Sequence, residues 1–243
     1  MMAAAAFKAD RGRSFYPAMG VVAVGAVLVG FSTTYFGPMA MGRFAGPTIA
    51  HVHGGLFFVW VALITLQPLL IRTRRWALHR AIGLAALPLA VSMAASGVGV
   101  GLYAVRRDLA AGAGESGYSA LPGVLAAMAI FVLFVGIAIA LRKRPAWHKR
   151  MIVLATIAIL WPAWFRFRHL MPWLPRPEIW LALVLADSLI LIAMLRDYLS
   201  FGRVHPAYWI FGSALVSEHV VEALLFDSPF WRAIAKAAYL ALT

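Results

Sequence analysis

Cysteine is absent from the 243-residue chain, and acidic side chains are scarce. The absence of cysteine excludes disulfides, thiolate metal ligands and cysteine nucleophiles. Only 13% of the residues are charged, whereas 63% are hydrophobic and the mean hydropathy is +0.84. A soluble domain of this length could not cover so much apolar surface with so few charges. We therefore predict that most of the chain lies in lipid.

The shortage of acidic residues leaves a large positive charge. Nine Asp and Glu residues face 22 Lys and Arg residues, for a formal net charge of +13. The basic residues cluster between apolar runs, a pattern typical of cytoplasmic loops that face anionic lipid. No DNA- or RNA-binding motif accompanies them, so we predict membrane lipids as partners and exclude nucleic acid.

Several catalytic signatures are also missing. The chain has no HExxH zinc motif, no histidine boxes of membrane desaturases and no paired Asp-rich motif of prenyltransferases. It lacks a Walker A loop and a dinucleotide fingerprint at a strand-to-helix turn. Because no lysine lies in the last long apolar run, a retinal Schiff base is not expected.

What the chain does have is a series of long apolar runs. Runs of about 17–25 apolar residues predict transmembrane helices. Seven such runs are present, at residues 18–36, 52–71, 81–103, 122–141, 151–168, 179–195 and 207–226. We predict an all-α, integral membrane helical bundle with seven spans (residues 18–226), after an N-terminal segment (residues 1–17). Residues 227–243 are expected to form an interfacial helix.

The positions of Lys and Arg predict the orientation of the bundle. Fourteen of the 22 lie at one set of helix ends: Lys8, Arg11, Arg13, Arg72, Arg74, Arg75, Arg80, Arg142, Lys143, Arg144, Lys149, Arg150, Arg196 and Arg203. The richer side is expected to be cytoplasmic. We therefore predict a multi-pass protein of a bacterial inner membrane, with its N-terminal segment cytoplasmic and its C-terminus outside.

The basic loops share a pattern of arginine and histidine. The segments "RTRRWALHR" (residues 72–80) and "RKRPAWHKR" (residues 142–150) match after a one-residue gap, and "FGRVHPAYW" resembles them. Histidine and arginine therefore lie at the start of three predicted spans. The pairs are His79 and Arg80, His148 and Arg150, and His205 and Arg203. Free N–H groups at helix N-termini attract anions. The two interpretations are anchoring of lipid headgroups, and binding of an anionic cofactor edge such as haem propionates, with His79 and His148 as possible axial ligands.

A second group of ionisable residues lies inside the apolar runs. "SALVSEHVVEALLF" carries Glu218, His219 and Glu222 on one face of a helix, and ionisable groups inside a membrane helix by default indicate function. Asp187, in "VLADSLI", is expected to lie at nearly the same depth in the membrane as His219, by the rise per residue of a helix. We therefore predict an Asp187–His219 contact, of the kind in which a carboxylate orients a metal-bound histidine.

Further histidines lie nearer the predicted outer surface. His51 and His53 open the second apolar run, and His169 ends the fifth together with Arg166 and Arg168. In a regular helix the side chains of His51 and His53 point about 200° apart, so we expect only one of them, His53, to face the bundle.

These residues could converge on one site. The predicted metal or cofactor ligands are His51 or His53, His169, His219 and Glu222, with Asp187, Glu218, Arg166 and Arg168 around them. Histidine and carboxylate ligands suit iron, copper or zinc, whereas haem needs two facing histidines or one histidine and an open position. The alternatives are a polar network that ties helices together and a pathway for protons or substrate.

The segments "ALHRAIGLAALPLAV" and "AWHKRMIVLATIAIL" resemble a large group of uncharacterised bacterial multi-pass membrane proteins. That resemblance extends from about Thr34 to Phe230. The HKR-type loop is more distantly similar to the small YozB/CtaM-like proteins associated with cytochrome oxidase assembly. This second resemblance carries over only to His148, Lys149 and Arg150, and it implies haem- or copper-related work without supplying a catalytic residue.

Three functional hypotheses follow from the sequence. The first is a redox or oxidase-assembly protein that binds haem, iron or copper through His/Glu in its outer half. The second is a proton-coupled transporter that uses Asp187, Glu218 and His219. The third is an accessory subunit of a larger membrane or respiratory complex, whose polar groups are purely structural.

Overall fold

The computed structural model describes the backbone of residues 2–243 and the side chains of residues 14–243. Across this part of the chain the regular secondary structure is entirely helical. The side chains of Lys8, Arg11 and Arg13, which contribute to the predicted orientation, lie outside the described ones. The prediction of an all-α chain is therefore confirmed for the residues that the structure describes.

We number the main helices in chain order. They are α1 (Met2–Gly30), α2 (Thr48–Arg72), α3 (Trp76–Ala110), α4 (Gly114–Ala140), α5 (Pro145–His169), α6 (Glu178–Phe201), α7 (Tyr208–Leu225) and α8 (Pro229–Leu242). After α1 the chain continues through a π-helical turn (Ser32–Phe36) and a short helix (Gly37–Ala40).

Five of these helices, α2 to α6, are long and apolar enough to cross a membrane. The number rises to as many as seven if two bent pairs each form one span. In the first pair, Ser14–Gly30 and Ser32–Ala40 meet at 43°, and in the second α7 and α8 meet at 107°. Several helices extend beyond the predicted apolar runs because the helical backbone continues into flanking segments that carry charge, such as Arg80 in α3.

Helix α5 lies at the centre of the bundle. In its most apolar stretch 67% of the residues are buried, against 22–39% in α2, α3, α4 and α6. It packs against α1, α4, α6 and α7. The helix is interrupted at Ile159 and Leu160, shortly before Pro162, because proline cannot donate to the carbonyl four residues earlier. The position of α5 therefore determines which faces of its neighbours are buried.

Small residues let α1 approach its neighbours closely. A Cβ atom on Gly30 would collide with the carbonyl oxygen of Ala163 in α5, and one on Gly20 would lie 2.8 Å from the Cα atom of Thr65 in α2. Such backbone approach is the usual way in which helices pack in membranes.

The C-terminal helix α8 turns away from α7 and lies against the start of α4. The Ser228 hydroxyl caps it by accepting from the N–H of Trp231, and the indole of Trp231 donates to the carbonyl of Ser119 at 2.8 Å. Lys236 forms an ion pair with Glu115 at 2.7 Å. A separate helix after residue 227 is therefore present, whereas its location at a membrane surface stays a prediction.

We expect Gly30→Ala to destabilise the bundle by about 1–3 kcal/mol, because a methyl group there meets the backbone of α5, which cannot move aside easily. Gly25→Ala is the matched control on the same helix, since its Cβ would meet nothing within 4 Å. The control should be neutral or stabilising by up to about 1 kcal/mol. Unfolding of both variants in detergent measures the difference, and equal stability would contradict the packing described here.

Candidate functional site

A buried histidine–carboxylate pair joins α6 and α7. The Nδ1 atom of His219 lies 2.9 Å from Oδ1 and 3.2 Å from Oδ2 of Asp187. The two residues are only 8% and 7% exposed. The predicted contact between Asp187 and His219 is therefore confirmed.

Two further carboxylates lie on α7 beside this pair. Glu218 places Oε2 3.7 Å from Nε2 of His219, and its side chain is 25% exposed. Glu222 lies one turn further along the same face. Its carboxylate occupies the space that a side chain on Gly123 of α4 would fill. We call Asp187, Glu218, His219 and Glu222 the acidic cluster.

The backbone around the acidic cluster departs from regular α-helix. Helix α6 begins with a π-helical segment, Glu178–Leu185, and returns to α-helix at Ala186, directly before Asp187. Helix α7 likewise begins with a π-helical turn, Tyr208–Gly212. Short π-helical insertions are found frequently at functional sites, because they widen the helix and redirect the side chains that follow.

The arrangement suits proton transfer through the imidazole. One ring nitrogen of His219 faces Asp187 and the other faces Glu218, so the ring can accept a proton on one side and release one on the other. Three carboxylates outnumber one imidazole in a largely apolar environment, where unpaired charges are strongly unfavourable. Binding protons is the simplest way for this group to reduce its negative charge.

The other predicted outer histidines have separate partners. His51 makes a 2.7 Å hydrogen bond to the hydroxyl of Tyr35, and His53 makes one of 3.0 Å to Ser96 of α3. His169 is exposed at the end of α5. Among the described side chains, no three His, Asp or Glu residues form a group that could hold a metal ion. Metal or haem binding by this set stays a prediction.

The two arginines predicted beside the ligands also have other partners. Arg166 donates to the carbonyl of Pro162 at 2.7 Å and lies 4.3 Å from the ring of Phe31. Arg168 lies 3.8 Å from the ring of Phe165 and donates to its carbonyl at 3.2 Å. The contacts of both side chains therefore stabilise the end of α5.

The basic loops bring His79 and His148 together, as the second predicted ligand pair requires. Their ring centroids are 6.5 Å apart and the rings are nearly perpendicular. Nδ1 of His148 is hydrogen-bonded to the carbonyl of Ala138 at 2.8 Å, and the side-chain amide of Gln67 contacts Nδ1 of His79. The two rings contact each other edge to face, so axial ligation of a haem would require them to move apart.

Arg80 and Arg203, which were predicted to bind an anionic group, are exposed.

The most buried ion pair in the described structure was not predicted from the sequence. Arg150 of α5 donates through Nε and Nη2 to the two carboxylate oxygens of Asp197 in α6, each at 2.7 Å. The side chains of this pair are 3% and 1% exposed. Arg196 adds a third contact to Asp197 at 3.0 Å. Arg150, predicted to bind an anionic group, thus has an internal carboxylate as its partner.

Residues from α7 and its preceding loop complete this region. The backbone N–H of His205 lies 3.4 Å from Asp197, and the ring of His205 packs on Trp147 with centroids 4.8 Å apart. Burial and the nearby charge of Arg150 lower the pKa of His205. The lowered pKa favours the neutral ring, and its Nδ1 accepts from the N–H of Ala207 at 3.1 Å.

We call the end of the bundle where these residues meet the basic end. Side-chain contacts there join the start of α3 to the start of α5. They also join the start of α5 to Tyr16 of α1, to Asp197 of α6 and to His205 in the loop before α7. One feature of the sequence could have indicated Asp197, since few acidic residues flank the basic loops. Because Asp197 directly follows Arg196, the sequence is typical of a charged, exposed helix end and does not indicate a buried carboxylate.

Comparisons of the chain with family models, with curated proteins and with solved structures give no match in any of the three cases. The resemblances noted in the basic loops therefore stay predictions, and functional proposals depend on the geometry described above.

We expect Asp197→Asn to destabilise the protein by about 3–5 kcal/mol, because it leaves Arg150 buried without a charged partner. Asp108→Asn is a suitable control, since it removes a carboxylate from an exposed pair with Arg107. Exposed pairs contribute about 0–1 kcal/mol. Thermal unfolding in detergent measures both variants, and a loss in Asp197→Asn no larger than in the control would refute this role.

Proposed function

We propose that the protein is a proton-coupled carrier with seven spans in a bacterial inner membrane, with its basic end cytoplasmic. The proposed orientation is supported by the 14 Lys and Arg residues in segments at that end. The proposed count of seven takes each of the two bent helix pairs as one span. The observation that carries the functional proposal is the buried Asp187–His219 pair within the acidic cluster.

In the proposed relay His219 passes protons between carboxylates. A proton on Glu218 moves to Nε2 of His219 while Nδ1 releases its proton to Asp187, so the ring returns to a neutral state. Glu222 extends this path by one helical turn toward the end of α7. The path leads from the middle of the bundle toward the end opposite the basic end.

The π-helical segment of α6 supports coupling of this relay to movement. π-Helical segments are rare and occur mostly as short insertions within α-helices, frequently at functional sites. Since the segment ends at Leu185, two residues before Asp187, a change there would move the carboxylate relative to His219. Protonation of the pair and the shape of α6 are therefore linked in this proposal.

Proton flux into liposomes tests the proposal. The purified protein is reconstituted around a trapped pH-sensitive dye, and a potassium diffusion potential is imposed with valinomycin. We expect Asp187→Asn and His219→Gln to reduce proton flux to that of protein-free liposomes, because neither side chain can then take part in transfer. Glu178→Gln, which changes an exposed carboxylate on the same helix, should retain wild-type flux.

Flux that is unchanged in Asp187→Asn would contradict the proposed relay. Size-exclusion profiles that match the wild type establish that the variants are folded. The infrared carbonyl band of protonated carboxylic acids provides a second measurement, since Glu222→Gln should remove part of that band, whereas Glu178→Gln should not.

One observation favours cofactor binding, in redox or oxidase-assembly work, as a second candidate function. Nδ1 of His148 donates to the carbonyl of Ala138, which leaves Nε2 of His148 available as a ligand atom. Metal-bound histidines commonly have their second nitrogen held in this way.

An absorption spectrum with and without dithionite, together with iron and copper analysis, tests this second candidate. We expect any haem or metal in the purified protein to be lost in His148→Ala and retained in His205→Ala, because Nδ1 of His205 accepts from Ala207 and the neutral ring then carries its proton on Nε2. Equal retention in the two variants would exclude the His79–His148 pair as the ligand site.

A further inference from the structure

An apolar groove lies between α1 and α6 at the basic end. It has a volume of about 340 Å³ and is lined by Phe15, Ile192, Leu195, Arg196, Leu199 and Ser200. Three of its aliphatic side chains are widely exposed, namely Ile192 (49%), Leu195 (57%) and Leu199 (57%). In a membrane helix, such an exposed apolar surface faces lipid chains.

Arg196 gives the groove a fixed positive charge. Its guanidinium group lies 5.3 Å from the ring centroid of Phe15 and 5.1 Å from that of Phe201, and its side chain is 11% exposed. One contact to Asp197 holds Nη1 in place. The charged group is therefore held beside the apolar walls and remains partly accessible.

The positive charge at this location exceeds the negative charge. Arg150 and Arg196 share the single carboxylate of Asp197. Lys149 adds another cation, with its Nζ atom 4.9 Å from the ring of Tyr16. The hydroxyl groups of Tyr16 and Tyr208 are enclosed and have no hydrogen-bond partner among the described residues.

Among the described side chains, the other acidic groups that could balance this excess lie elsewhere. Of the nine acidic residues, only Asp10 and Asp197 belong to segments at the basic end, and the side chain of Asp10 is outside the described ones. The other seven lie in the acidic cluster or in the connections at the opposite end. An external anion would therefore be stabilised near Arg196.

We propose that the groove binds an anionic phospholipid, with an acyl chain along α6 and its phosphate on Arg196. A free phosphate would gain nothing from the aliphatic walls, whereas a zwitterionic lipid would gain less from the excess charge. Basic pockets between helices on the cytoplasmic side commonly bind anionic headgroups. The lipid site does not depend on the proposed proton relay, since the two involve different residues and different parts of α6.

Native mass spectrometry of the detergent-purified protein tests the proposal. Phosphatidylglycerol and phosphatidylcholine with identical chains are titrated separately, and glycerol phosphate is added as a competitor without chains. We expect tighter binding of phosphatidylglycerol, and a loss of roughly fivefold in its affinity in Arg196→Gln. Arg203→Gln is the matched control, because it removes an exposed cation at the same end. This control should bind as the wild type does.

A second variant separates lipid binding from loss of charge. Leu195→Trp fills the groove while it leaves Arg196 in place, so we expect it to weaken phosphatidylglycerol binding without affecting the fold. Equal binding of the two lipids, wild-type affinity in Arg196→Gln, or wild-type affinity in Leu195→Trp would overturn the proposal. Full competition by glycerol phosphate would overturn it as well, because the site would then recognise an anion alone.

Discussion

The buried pair of Arg150 and Asp197 constrains the whole bundle. A guanidinium group that is 3% exposed has a stable position only where its carboxylate meets it, since an unpaired buried charge is strongly unfavourable. The pair therefore fixes α6 against α5, both along the helix axis and in rotation. Because α5 is the helix that most of the others pack around, this single interaction sets the positions of α6 and of the loop that leads into α7.

The same constraint positions the acidic cluster in the other half of α6. Asp187 precedes Asp197 by ten residues, or roughly 15 Å along a helix. Asp197 meets two permanently charged arginines, whereas Asp187 meets a histidine that can gain or lose a proton. One end of α6 thus carries a fixed ion pair and its middle carries one that can change charge. That difference supports our proposal that proton chemistry takes place at Asp187.

The sequence predicted features that depend on distance along a helix and missed those that depend on which helices are neighbours. The apolar runs predicted helices close to their observed positions, and equal depth predicted the contact between Asp187 and His219. His51 or His53 could, by depth, converge with His169, His219 and Glu222, but depth alone does not give the rotation of a helix or its neighbours. Asp197 was missed because it follows Arg196 in a segment rich in charge, and only the packing of α5 shows that its carboxylate is buried.

The excess charge has opposite signs in the acidic cluster and at the basic end, so different ions can neutralise it. In the acidic cluster carboxylates are in excess, and because they are largely enclosed by α4, α6 and α7, protons are the cations that can reach them most easily. At the basic end arginine is in excess, and a proton cannot neutralise it, since the guanidinium group stays charged at any ordinary pH. The excess there lies beside an apolar groove that is open on the outer face of α1 and α6. An anion that also has apolar chains matches both features. The distribution of charge therefore supports both proposals, protons in one half of α6 and an anionic lipid in the other.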